Sequence, residues 1–214
     1  LPRPLEPTEP HVRINVVQTE MPSGDLLGGG TFSVKCRHGD VVGCYDLLMI
    51  MTIEGAVLGG RETFGEPKKV GEAVLRHEGD DVVGIMRRKG VDIVEIRGKV
   101  VEQLEPEPLN ERFAFYYKFL LDPEGGRFDG DPSLVHVRRT QEDLLRERIE
   151  GEVILRESPF DPVADLPVHR VLSITYTENH QTQTGKIVGQ VPADWVWPFR
   201  HQRYDGLIAR LQPA

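Results

Sequence analysis

The chain has 214 residues, a net charge of -8, and 39% hydrophobic against 28% charged residues, the balance of a globular protein long enough to bury a sizeable core. The acidic balance excludes a general nucleic-acid binder, which needs a basic footprint, and no stretch approaches the roughly 20 apolar residues of a membrane-spanning helix. With only two cysteines, Cys36 and Cys44, a cysteine metal cluster is excluded, and both are expected to be reduced packing residues.

No nucleic-acid or membrane partner is expected. No signal peptide is visible, so the cytoplasm is the expected compartment. The chain opens at Leu1 rather than at methionine.

In chain order the pattern is of strands more than helices. His11 to Thr19 alternates, with Val12, Ile14 and Val16 on one side, and Thr31 to Arg37 repeats this with Phe32, Val34 and Cys36. Period two marks a half-buried strand. Gly28-Gly29-Gly30 between them reads as a flexible turn. Val41 to Ile53 is a more continuously apolar strand, expected to be covered on both faces. Gly59 to Lys69 reads as a polar loop, and Val82 to Arg88 with Val91 to Val101 as a hairpin around Lys89-Gly90.

Phe113 to Leu121 is an aromatic-rich strand, followed by a turn at Asp122 to Gly126. Thr140 to Glu150 fits a short helix with a threonine cap, although Leu134 to Val137 and Val153 to Leu155 on its flanks look like strand. Val168 to Tyr176 is the last predicted strand. Asp194 to Phe199 carries both tryptophans, and Tyr204 to Leu211 is expected to form a short helix.

Four landmarks in order resemble the acetoacetate decarboxylase superfamily: Arg3-Pro4-Leu5-Glu6-Pro7; Gly60-Arg61-Glu62 followed by Pro67-Lys68-Lys69; Tyr117 to Leu121 leading to Gly125-Gly126; and Asp165-Leu166-Pro167-Val168. The resemblance implies one α+β domain over residues 1–214, mostly antiparallel, with a curved sheet closing into a cone or barrel around an internal cavity. It implies a homo-oligomer. The family's N-terminal portion, with its active-site arginine, has no counterpart here, and Arg3 is not its match. Either those residues were lost or the protein works without that arginine.

The resemblance also implies a lysine whose amine condenses with a ketone to give an imine, an electron sink for loss of carbon dioxide. That amine must be neutral, and desolvation or a neighbouring cation lowers its pKa, acetoacetate decarboxylase being the standard illustration. Glu62 matches the motif's glutamate as the assisting carboxylate. The nucleophile is expected near the end of the second hairpin strand, where Lys99 is the available lysine if the alignment admits a short gap; otherwise Val101 stands there.

Alternation puts Glu95, Arg97, Lys99 and Val101 on one face. That face is too charged for core, so it looks into a polar cavity or into solvent. Arg97 is the expected depressing cation, and Glu95, Arg61, Phe64 and Tyr45 are expected to contact substrate. Trp197 and Glu54 are weaker cavity candidates. Lys68 and Lys69 read as loop or surface cations. The seven histidines show no metal-ligand spacing, so neither a metal nor a cofactor is expected.

The expected activity is a decarboxylating lyase acting on a small β-keto acid. The alternatives are a drifted relative catalysing aldol, dehydration or cyclisation chemistry, with or without an imine, and a non-catalytic protein binding a small acid through Arg97 and Lys99.

Overall fold

The computed structural model describes residues 1–21 and 23–205. In order they form β1 (Glu6–Glu20), β2 (Leu26–His38), β3 (Val41–Met51), α1 (Glu54–Phe64), β4 (Lys68–Val70) and β5 (Glu72–Glu78). Then come β6 (Asp81–Arg88), β7 (Val91–Leu104), β8 (Asn110–Lys118), β9 (Ser133–Leu155), β10 (Ile174–Gln190) and the short α2 (Ala193–Val196), which runs into a 3-10 turn over Trp197–Arg203. The helix expected over Tyr204 to Leu211 lies outside the described residues from Gly206 on. None of the described helices is long and apolar enough to cross a membrane.

All ten strands belong to one sheet, ordered β1-β2-β3-β8-β9-β7-β6-β5, with β4 added beside β3 and β10 beside β9. Pairing is antiparallel except for β3 with β4 and β3 with β8. The sheet is not closed by hydrogen bonds. Its two ends nevertheless return to each other through side chains, because Gly84 of β6 lies under Val16 of β1 and Gly30 of β2 lies under Met86 of β6. Phe32, Leu48, Ile50, Met86, Ile93 and Val94 fill the core on that side. The expected antiparallel, curved-sheet α+β architecture is what the chain adopts.

Gly28-Gly29-Gly30 is not a turn but part of β2. A Cβ at Gly28 would meet the Ala73 carbonyl at 2.7 Å, and one at Gly30 would collide with the Met86 thioether. The glycines admit the far end of the sheet. The helix expected at Thr140 to Glu150 is instead the middle of β9, a strand of 23 residues. Its first part lies between β8 and β10, residues 142–145 pair with β10 alone, 146–149 lie between β7 and β10, and its end pairs with β7. Ladder hydrogen bonds to β10 along most of this stretch, joined by β8 at its start and β7 at its end, override a local helical preference.

The polar loop expected at Gly59 to Lys69 begins with α1, which ends at Gly65 in the left-handed region (φ 81°), its N–H and that of Glu66 closing on the Arg61 and Gly60 carbonyls. Val168 to Tyr176 is strand only from Ile174. Val168, Val171 and Leu172 are exposed, so their alternation reports no buried face.

Candidate active site

Cross-strand pairing builds a polar row over the inner face of the sheet. Arg13 of β1 stands opposite Ser33 of β2, which stands opposite Asp46 of β3. On the other side, Arg112 of β8 stands opposite Arg139 of β9, which stands opposite Gln183 of β10. Facing residues in a pleated sheet project to the same side, so each triplet shares a face.

The halves are joined at Asp46. Its carboxylate accepts from the Ser33 hydroxyl and, at 2.5 Å, from the Tyr116 hydroxyl. Arg139 then donates to Tyr116 Oη at 3.0 Å and to Gln183 Oε1 at 2.9 Å. Met49, Ala114, Val135 and Val137 pack around the buried Tyr116 ring.

The loop after α1 brings Glu66 onto this row. Its side chain is 1% exposed, and Oε1 accepts from Gln183 at 3.1 Å and Arg139 at 3.4 Å. Lys68 Nζ lies 2.8 Å from the other oxygen, Oε2, as an ion pair. The contact is off the hydrogen-bonding direction, so Oε2 is a buried acceptor without a hydrogen bond. Gly60 makes room for the pair, since a Cβ there would press on Lys68 Nζ at 2.6 Å and on the Glu66 carboxylate.

Strand β4 separates the two adjacent lysines. It runs beside β3 with Lys68 opposite Met49 and Lys69 opposite Ile50, so the side chains leave on opposite faces. Lys69 enters a second buried cluster, reaching Asp161 at 2.8 Å, Asp205 at 3.1 Å and the Phe160 carbonyl at 3.3 Å. Arg88 holds the same two aspartates from the other side. Lys69 donates to Asp161 and to the Phe160 carbonyl and pairs with Asp205 by charge, which makes it a structural cation. Lys68 has one carboxylate and faces the polar row.

Charge on the row is fixed by burial and by neighbours. Burial drives the Tyr116 phenol well above its ordinary pKa, with Asp46 and Glu66 adding to the rise and Arg139 opposing it. Burial alone would lower Arg139, yet Tyr116, Asp46 and Glu66 more than reverse this and keep it a cation. Burial, and then Asp46, raise the Cys44 thiol. Tyr116 is therefore a neutral donor, and Cys44 is no thiolate nucleophile.

The residues singled out from sequence divide. Lys68 and Lys69, expected as loop or surface cations, are 14% and 6% exposed at their side chains. Arg97, Lys99 and Val101 look into solvent, the second of their two expected surroundings, while the Glu95 side chain is 15% exposed. Lys99 is 67% exposed and pairs with Asp81 at 2.8 Å. The hydrogen bond and charge of Asp81 raise its pKa, the opposite of what an imine-forming amine needs. Arg97 pairs with Glu152 at 2.7 Å, and Glu95 with Arg156 at 2.5 Å. Val101 is exposed as well.

Glu62 and Glu54 are exposed on α1 and are not among the residues gathered on the polar row. Arg61 donates to the Arg203 carbonyl at 3.2 Å and lies over the Tyr204 ring, tying α1 to the C-terminal segment. Phe64 does reach the site, packing on the Met49–Tyr116 cluster and over Gly185.

Tyr45 points to the other face of β3 and donates to Gln202 at 2.6 Å. There, with Tyr117, Pro67 and Arg203, it lines a small, partly open cavity of about 20 Å³, space for a single water. Trp197 packs on Phe128. The residues that reading the sequence missed, Asp46, Glu66, Arg139 and Gln183, carried one usable signal. An aspartate inside the apolar run from Val41 to Ile53 must be satisfied by buried partners.

A family model described as acetoacetate decarboxylase (ADC) matches residues 1–191. An acetoacetate decarboxylase of Chromobacterium violaceum is 31% identical over 189 residues, spanning 81% of this chain and 72% of the relative. The crystal structure of acetoacetate decarboxylase from Legionella pneumophila superposes with a TM-score of 0.77 at 20% identity, covering 89% of this chain and 78% of that one. The enduracididine biosynthesis enzyme MppR, complexed with the condensation product of pyruvate and imidazole 4-carboxaldehyde, has a TM-score of 0.65 at 14% identity, over 78% and 68% of the two chains. Sequence match and fold agree: the chain belongs to the acetoacetate decarboxylase family.

Proposed function

We propose that this member of a lyase family is a cofactor-independent decarboxylase of a small 3-oxo acid, acting through an imine on Lys68. The carrying observation is the Lys68–Glu66 ion pair, 2.8 Å apart and largely buried, with Oε2 of Glu66 accepting no hydrogen bond. A protonated amine cannot attack a carbonyl, and that oxygen is placed to take its proton.

The neutral amine adds to the substrate ketone, and loss of water gives the protonated imine. The bond to the carboxylate carbon breaks, its electron pair enters the imine, and carbon dioxide leaves. The resulting enamine takes a proton on carbon. Water then adds to the iminium, releasing the ketone and restoring the amine. Tyr116, neutral and hydrogen-bonded to Arg139 and Asp46, holds the charges around the reacting centre in fixed positions.

Borohydride trapping with acetoacetate, followed by peptide mass spectrometry, tests this. An adduct on Lys68, absent from Lys68→Ala and not restored by Lys68→Arg, supports the reading. An adduct on Lys99 moves the nucleophile there. Turnover that survives Lys68→Ala refutes the imine at this residue, and aldol or dehydration products in place of carbon dioxide refute decarboxylation.

A further inference from the structure

Strand β10 has a neighbour on one edge only. It pairs with β9 from Ile174 to Gln190, while β8 and β7 take the opposite edge of β9. Its outer edge bonds to no other strand among the described residues. Seventeen residues of open edge is long, and alternate residues there point N–H and C=O groups away from the sheet. The usual defences of an edge are thin. β10 contains no proline and a single lysine, and its extra residue, Val188, comes only near its end. Ile187 and Val188 are exposed.

The strand is also complementary to itself when read backwards. A two-fold axis between antiparallel copies sets one residue opposite its own copy and pairs the others at equal distances to either side. Thr182 is the midpoint of β10, so an axis there pairs the strand end to end. The one acid of β10, Glu178, and its one lysine, Lys186, stand four residues to either side of Thr182, so they meet twice. Thr182 faces its own copy, Thr177 meets the exposed Ile187, and Gln181 meets Gln183. Placing the axis at His180 or Thr184 brings no opposite charges together. Glu178 accepts a hydrogen bond from Tyr176 at 3.1 Å, and neither it nor Lys186 makes an ion pair among the described residues.

We infer that β10 is the seam of a two-fold dimer, running antiparallel to β10 of a second copy with Thr182 on the axis. The sheet then continues across both chains, and the open edge is satisfied by backbone hydrogen bonds. Gln183, which holds Glu66 on the polar row, stands opposite the partner's Gln181, so the seam borders the candidate site. It does not depend on which lysine forms the imine.

Sedimentation equilibrium of the full chain tests this, with Lys186→Glu, Glu178→Lys and the double exchange. Both positions are exposed, so the fold is expected to survive, and circular dichroism checks it. The wild type is expected to hold an even number of copies, and Lys186→Glu to halve its mass at the same concentration. Like charges then face each other twice, which raises the dissociation constant at least about tenfold. Glu178→Lys acts in the same way. The double exchange restores the wild-type mass, because opposite charges meet again. A wild type that is monomeric or holds an odd number of copies overturns the seam. So does a mass that Lys186→Glu leaves unchanged, or a double exchange that associates as poorly as the single variants.

Thr182→Cys reads the register. A short bis-maleimide is expected to link it into dimers on a denaturing gel, while the wild type, whose own thiols are the buried Cys36 and half-buried Cys44, and Thr175→Cys remain single chains. A dimeric Thr182→Cys that does not link, or a Thr175→Cys that links equally well, overturns the axis at Thr182.

Discussion

Lys68 and Lys69 have the same side chain and adjacent positions, and the alternation of a three-residue strand gives them opposite work. Lys69 shares buried aspartates with Arg88, so Lys69→Ala leaves Asp161 short of a charge partner in a dry setting. Breaking a buried pair on one side costs about 3–5 kcal/mol, and urea denaturation of Lys69→Ala should show a loss on that scale. Lys68→Ala should change the urea midpoint far less while abolishing trapping. If both variants lose stability alike, the division of labour is wrong. Glu66→Gln keeps the shape of the carboxylate and removes its basicity, so turnover should fall by roughly 10²-fold, the usual scale for a lost proton acceptor, with the fold intact by circular dichroism.

Helix α1 carries the Gly-Arg-Glu motif, and the part of it that touches the site is the glycine. Gly60 faces the Lys68–Glu66 pair, whereas Glu62 is exposed. A methyl at residue 60 would press on the flexible ends of two side chains and not on backbone. Gly60→Ala is therefore expected to lower turnover at least tenfold while shifting the melting temperature by only a few degrees; unchanged turnover would show that the spacing of the pair is unimportant.

Glycines at the β7–β9 pairing do different work. Gly98 and Gly151 face each other where a Cβ on Gly98 would meet the Gly151 Cα at 2.8 Å, and one on Gly151 would strike the Arg97 carbonyl. The expected nucleophile region around Lys99 is thus a place where two strand backbones press together, which explains the glycine beside Lys99 without any catalytic role. Gly151→Ala should cost stability, about 1–3 kcal/mol by analogy with overpacked cores, because the obstacle is backbone.

Across the whole molecule, the cluster of Lys69, Arg88, Asp161 and Asp205 joins β4, the β6–β7 hairpin, the segment after β9 and the C-terminal segment. The same C-terminal segment sends Arg203 to the Gly65 and Tyr117 carbonyls, directly beneath the loop that presents Glu66 and Lys68. Burial works to raise the Asp205 carboxyl, but hydrogen bonds from Arg88 and Lys69 prevail and hold it down at about 2, against an ordinary 3.8.

A carboxylate with a depressed folded-state pKa stabilises the fold fully above its unfolded value and loses that contribution as pH falls through the folded value. Asp205 should therefore contribute roughly 2 kcal/mol near neutrality, fading between about pH 4 and pH 2. Asp205→Asn should be less stable at pH 7 by that order, with a shallower fall in stability over the acid window. Equal slopes in denaturation series at pH 7, 4 and 2.5 would exclude the linkage.

The sequence by itself determined the strands whose residues alternate, β1, the later part of β2, β6, β7 and β8, because period two reports a half-buried face directly. It also determined the family, through short motifs whose order survives when most other residues change. It left β10 and the middle of β9 hidden: their residues are polar on both faces, and their strand state rests on ladder partners far away in the chain. The site was hidden for the same reason. Pro67-Lys68-Lys69 stood out as a motif, but its burial depends on β3, β9 and β10 arriving around it, and an isolated polar segment looks like surface. Tertiary structure alone decided which lysine meets a carboxylate in an enclosed place and which stays in water, because desolvation and ion pairing are set by residues brought together across the sheet.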